Sequence, residues 1–118
     1  MRREQRLRRR KDFDAIYRQG QVHGNRLLVV RVRPNGLAET RFGFVAGKAV
    51  GNAVARNLIK RRLRTIVQHA HTLDGLDVVI GARRTTADAT YAQLERAVIA
   101  LLRRAGALRA ASDAPRGA

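Results

Sequence analysis

Apolar residues follow two different spacings along this chain, and the spacing changes where glycine, proline or asparagine intervenes. Phe13, Ile16 and Tyr17 recur at i, i+3 and i+4, which predicts a short helix capped by Asp12 and ended by Gly20. From Gln21 to Arg33 the pattern turns extended. Leu27-Leu-Val-Val-Arg-Val-Arg33 is rich in β-branched residues and stops at Pro34-Asn35-Gly36, a turn signal. Arg41 to Ala46 reads as a further strand with Phe42 and Phe44 on one face. A long helix is expected from about Asn52 to His71. Leu76 to Ala82 is nearly all apolar, as a buried central strand would be. Thr90 to Gly106 returns to helical spacing, with Leu94, Val98, Leu101, Leu102 and Ala105 on its core face. These elements predict an α/β (α+β) two-layer sandwich, one sheet with helices packed mainly on one side. A chain of 118 residues suits one domain with a real core. Residues 1–118 are therefore read as a single domain, with a flexible basic arm at about 1–10 and a frayed tail at about 107–118.

Charge changes the picture at the long helix. From Thr40 to Leu73 there is no Asp or Glu, while Arg41, Lys48, Arg56, Lys60, Arg61, Arg62 and Arg64 all fall inside that window. A helix without acids forgoes i,i+4 ion pairs and accepts repulsion, an arrangement that favours a polyanionic partner rather than folding. Wound from Asn52, Arg56, Lys60 and Arg64 stack one turn apart, with Asn57 and Arg61 beside them, in an arc of about 140°. Val54, Leu58, Ile59, Leu63 and Ile66 are expected mostly in the remaining, apolar arc. Arg62 lands among them.

The whole chain carries a net charge of +16, and of its 25 basic residues 22 are Arg. That balance points first to nucleic acid. Cysteine is absent, which excludes disulfides, thiol catalysis and Cys-ligated zinc. No apolar run approaches a membrane span, and the basic N-terminus is not followed by an apolar signal segment, so a cytoplasmic protein is expected. The nine acids are scattered, and the near pairs Asp12/Asp14 and Asp74/Asp77 read as capping and loop solvation rather than a two-metal site. His69 and His71 point apart on a helix, His23 stands alone, and Gly47 to Gly51 lacks the GK[ST] ending of a P-loop. The polypeptide therefore reads as a binder without a catalytic constellation of its own.

The string Lys48-Ala-Val-Gly-Asn-Ala-Val-Ala-Arg-Asn-Leu-Ile-Lys-Arg-Arg-Leu-Arg64 closely resembles the signature of the bacterial ribonuclease P protein component. Lys48, Gly51, Ala53, Val54, Arg56, Asn57, Lys60, Arg61 and Arg64 all match. The resemblance extends over roughly residues 7 to 104, through Asp12-Phe-Asp-Ala-Ile-Tyr17, Asn25-Arg26 and Asp77-Val-Val-Ile-Gly-Ala-Arg83. It implies an α-β-β-β-α-β-α fold with a four-stranded sheet and a left-handed βαβ crossover, against the general right-handed rule. It also implies the protein subunit of an endonuclease that removes the 5′ leader from precursor tRNA. The catalytic subunit of that enzyme is RNA, and magnesium ions (Mg2+) are held chiefly by the RNA. On this resemblance Lys48, Asn52, Arg56, Asn57, Lys60, Arg61 and Arg64 contact the catalytic RNA. Phe13, Tyr17 and Arg31 line the cleft for the precursor tRNA leader. No residue is catalytic, no residue binds metal, and neither a membrane nor a protein partner is implied. Two positions depart from the family pattern: Leu58 stands where Arg is usual, and Arg31 where an aromatic is common. The competing reading is a ribosomal-type RNA-binding protein or general RNA chaperone, whose binding would ignore leader length.

Overall fold

The computed structural model describes residues 1–109. Its elements run α1 (Arg10–Gln19), β1 (Gln21–Gly24), β2 (Leu28–Pro34), β3 (Arg41–Ala46), α2 (Ala53–His69), β4 (Leu76–Ala82) and α3 (Tyr91–Arg104), the α-β-β-β-α-β-α order. The four strands form one mixed sheet in the order β1-β2-β4-β3. β4 pairs antiparallel with β2 and parallel with β3, so α2 is the crossover of a β3-α2-β4 unit. The central position of β4 explains its apolar run, with Val78, Val79 and Ile80 all buried.

Strand alternation divides the core. Leu28, Val30, Val32, Phe42, Val78 and Ile80 pack beneath α2 and α3, against Ile59, Leu63, Ile66, Leu94, Val98 and Leu101 among others. Val79 faces the other way and packs with Ile16 of α1 and Leu7. So α2 and α3 share one face, and α1 lies on the other. Helix α3 starts at a capping box, in which the Thr90 hydroxyl accepts from the Gln93 N–H and the Gln93 side chain accepts from the Thr90 N–H.

Three expectations need correction. Asp12 does not cap α1; Arg9 precedes the helix without a side-chain cap, and Asp12 reaches Arg41 instead, at 3.5 Å. Residues 1–10 are not a free arm. Leu7, within that basic run, is buried, and its N–H donates to the Phe42 carbonyl at 2.9 Å. The tail does not fray at 107. Ala107 is fully buried, its carbonyl accepts from the Leu73 N–H, and the Arg109 N–H donates to the His71 carbonyl. The rest of the expected tail lies outside the described residues.

Asp77 is also not a loop acid. It is 3% exposed and forms a two-pronged contact with Arg41, at 2.8 and 2.7 Å, across the β3–β4 pair. The Asn35 side chain donates to the same carboxylate. The hydrogen bonds to Asp77 hold the Arg41 guanidinium above its ordinary range, against the opposing effect of burial. Removing one partner of a buried pair costs roughly 3–5 kcal/mol, because the other charge stays behind unpaired. Arg41 keeps Asp12 and some solvent, so Asp77→Ala is expected to cost about 2–3 kcal/mol. A lower urea midpoint at unchanged m-value is the measurement. An unchanged midpoint would show that the pair contributes nothing net.

Candidate nucleic-acid interface

The approach to α2 is built for a sharp turn. Lys48–Val50 form one 3-10 turn that buries Val50 and leaves Lys48 exposed. Gly51 follows at φ 150°, and a Cβ there would sit 3.0 Å from the Ala55 Cβ, so only glycine fits without strain. The Asn52 side chain then caps the helix, accepting from the Ala55 N–H at 2.9 Å. The first turn of α2 carries no acid, which leaves the positive end of the helix dipole uncompensated beside Lys48.

The buried stripe of α2 is narrower than its apolar residues suggest. Ile59, Leu63, Ile66 and Val67 carry it, within an arc of about 100°. Val54 and Leu58, expected on the core side, are 78% and 40% exposed because they lie well outside that arc. Arg62 sits at the stripe's margin, half-buried. On the opposite flank Arg56, Lys60 and Arg64 leave the stripe half-buried, and Asn57 and Arg61 continue the basic arc into solvent. Arg41 is not part of this surface, being engaged by Asp77 and Asp12.

That flank meets the outer edge of β3. The Arg64 guanidinium lies over the Phe44 ring, 5.9 Å from its centroid, and Phe44 stacks with Phe42 at 6.3 Å. Lys60 and Arg64 form one wall of a groove. Phe42, Gly43 and Phe44 form its floor, and Arg6, Leu7, Arg8 and Phe13 close the other side. Arg6 and Arg8 were visible in sequence only as charge; the Leu7–Phe42 hydrogen bond is what carries them to this groove. A Cβ at position 43 would fall 2.7 Å from the Phe13 ring, so any larger residue there must displace the ring.

On the α1 face the three expected leader residues separate by environment. Ile16 takes the core position that spacing alone would share among the helix's apolar residues. Phe13 is partly buried against Leu7, Ile16 and Val79. Tyr17 is 46% exposed, and its ring lies under the Arg31 guanidinium at 4.6 Å. The Arg31 Nε is buried without a hydrogen-bond partner among the described residues. Lys48 and Asn52 sit apart from both clusters, on the approach to α2.

The sequence model of the family described as Ribonuclease P matches residues 1–106 of this chain. The chain is 41% identical over 102 residues to the ribonuclease P protein component of Finegoldia magna, covering 85% of this chain and 89% of that protein. Its fold is similar to that of the Staphylococcus aureus RNase P protein, with a TM-score of 0.82 at 32% identity, covering 89% of this chain and 98% of that one. The RNase P protein from Thermotoga maritima superposes with a TM-score of 0.78 at 30% identity, covering 84% and 96%.

Proposed function

Because this chain belongs to the ribonuclease P protein family, we propose that it is the protein subunit of a ribonucleoprotein endonuclease that matures the 5′ ends of tRNA. It binds the catalytic RNA through Lys48, Asn52, Arg56, Asn57, Lys60, Arg61 and Arg64. It binds the single-stranded leader of precursor tRNA through Phe13, Tyr17 and Arg31. The observation that carries this reading is the position of Phe13. Its ring lines the same groove as Lys60 and Arg64, so a leader crossing α1 would lie directly beside RNA held on α2. In this role Asn52 acts mainly by holding the first turn of α2, since its side-chain oxygen is already engaged.

The division of labour follows from the side chains. Cations on the α2 flank neutralise phosphates and release counterions. The exposed Tyr17 ring and the partly buried Phe13 ring on α1 accept unpaired bases of any sequence by stacking. Bond cleavage is left to the RNA, with Mg2+ supplying charge stabilisation there. This chain's residues do not suit that ion: no three His, Asp or Glu gather among the described residues. Asp12 and Asp77 are engaged by Arg41, Asp74 by Arg109 and Glu39 by Arg2. No helix among the described residues is long and apolar enough to cross a membrane, and the cytoplasm is the compartment this reading implies.

The test is reconstitution. Protein alone is expected not to cleave precursor tRNA, and a bacterial catalytic RNA is expected to cleave at the leader junction at lower magnesium when the protein is added. Stoichiometric cleavage by protein freed of RNA would overturn the assignment of chemistry to the RNA. Stimulation independent of leader length would favour the general RNA chaperone instead.

A further inference from the structure

The groove between the N-terminal segment, the edge of β3 and α2 has a shape and lining of its own. Its volume is about 250 Å³, bounded by Phe13, Phe42 and Phe44 on the apolar side and by Arg8, Lys60 and Arg64 on the charged side. That is below the range of drug-sized pockets and leaves room for little more than one flat ring. The Arg64 guanidinium stands 5.9 Å from the Phe44 centroid, near the outer limit of a cation–π contact, and its Nε is buried without a partner. β3 is an edge strand, and the N-terminal segment meets it from outside the sheet at Phe42, where Arg6 forms an isolated bridge and the Leu7 N–H donates to the carbonyl. No acid among the described residues lines the groove. A flat apolar floor with cations at the rim on both sides is the chemistry of a nucleotide: the ring stacks and the phosphate is neutralised.

We propose that this groove holds a single unpaired RNA nucleotide, its base against Phe44 and its phosphate between Arg8 and the Lys60/Arg64 pair. The site shares Phe13 with the proposed leader cleft but not Tyr17 and Arg31, whose stacked pair does not line it. The inference rests on the ribonucleoprotein reading above, and deepens it by giving the basic flank of α2 a local, base-stacking contact as well as an electrostatic one. A duplex would not meet these requirements, since its bases are stacked on each other and unavailable to a ring.

The experiment uses the reconstituted holoenzyme with precursor and mature tRNA, and chemical probing of base reactivity at saturating protein. Wild-type protein is expected to protect one unpaired base that Phe44→Leu leaves reactive, with the rest of the footprint retained. Phe44→Leu should weaken RNA binding by about 5- to 100-fold. Arg8→Ala, at an exposed position, should lower the salt dependence by about one phosphate contact without a change in melting temperature. If the re-exposed base lies in the catalytic RNA, that RNA supplies the nucleotide; if it lies in the leader, with affinity lost only for precursor, the substrate supplies it. Identical base reactivity in wild type and Phe44→Leu, within a complete footprint and normal cleavage, overturns the nucleotide site alone. Absence of any footprint or stimulation with wild-type protein overturns the ribonucleoprotein reading instead.

Discussion

Replacing Arg56, Lys60 and Arg64 together by alanine is expected to flatten the dependence of log K on log salt for catalytic RNA by roughly two to three units. Each cation removed is one counterion-releasing contact fewer, at a slope near 0.9 per phosphate on a duplex and about 0.7 on a single strand. The three side chains are half-buried along one flank of α2, so their stems are positioned before RNA arrives and little ordering remains to oppose binding. Binding near physiological salt should therefore fall by roughly two orders of magnitude, while in very dilute salt the loss should be larger still because the wild-type slope is steeper. The fold should tolerate the change, because none of the three makes an ion pair among the described residues and removing adjacent like charges relieves repulsion. The packing lost is that of the three half-buried stems and of the Arg64 contact with Phe44. Salt titrations of both proteins against the same RNA decide the matter. If affinity and slope survive the triple change, the flank is only a solvated surface.

How far this was legible in sequence depends on the kind of signal. Periodicity located α2, α3 and the central strand to within two residues or so, because those elements bury enough apolar surface to impose a pattern. The basic arc of α2 was legible for the same reason, and its missing acids marked it as a surface for an anion. What periodicity could not supply was the width of the buried stripe. Val54 and Leu58 are apolar yet exposed, and no local rule distinguishes them from Ile59 or Leu63. Contacts distant in sequence were equally hidden. Asp77 looked like a loop acid until β3 and β4 were seen to pair Arg41 with it, and Arg8 was only one charge in a run until Leu7 tied that run to Phe42. The family signature assigned residues to RNA contact. It did not reveal that Phe13, assigned to the leader, and Lys60 and Arg64, assigned to the catalytic RNA, share one groove.

The two aromatics proposed for the leader cleft should respond differently to truncation. Tyr17→Ala is expected to weaken precursor tRNA binding by about 1–3 kcal/mol, the value of one base–aromatic stack, and to spare mature tRNA, which has no leader. Its melting temperature should hardly move, since the ring is 46% exposed and its main neighbour is the Arg31 guanidinium. Removing the ring frees Arg31 as well, and an unstacked guanidinium can retain a leader phosphate, so the salt dependence of the remaining leader affinity should persist. Phe13→Ala should also reduce leader affinity, but with a loss of stability. Its ring sits on Gly43 and packs with Leu7, Ile16 and Val79, and truncation opens a gap beneath α1. Full burial would make such a change cost roughly 3–5 kcal/mol, so a partly buried ring should cost about 2 kcal/mol. Gly43→Ala provides the converse, placing a methyl group where the Phe13 ring lies and forcing the ring outward. The decisive comparison is holoenzyme affinity for precursor and mature tRNA alongside the melting temperature of each variant. Equal losses for both tRNAs in Tyr17→Ala, with a large drop in stability, would place Tyr17 in the core and remove it from the leader cleft.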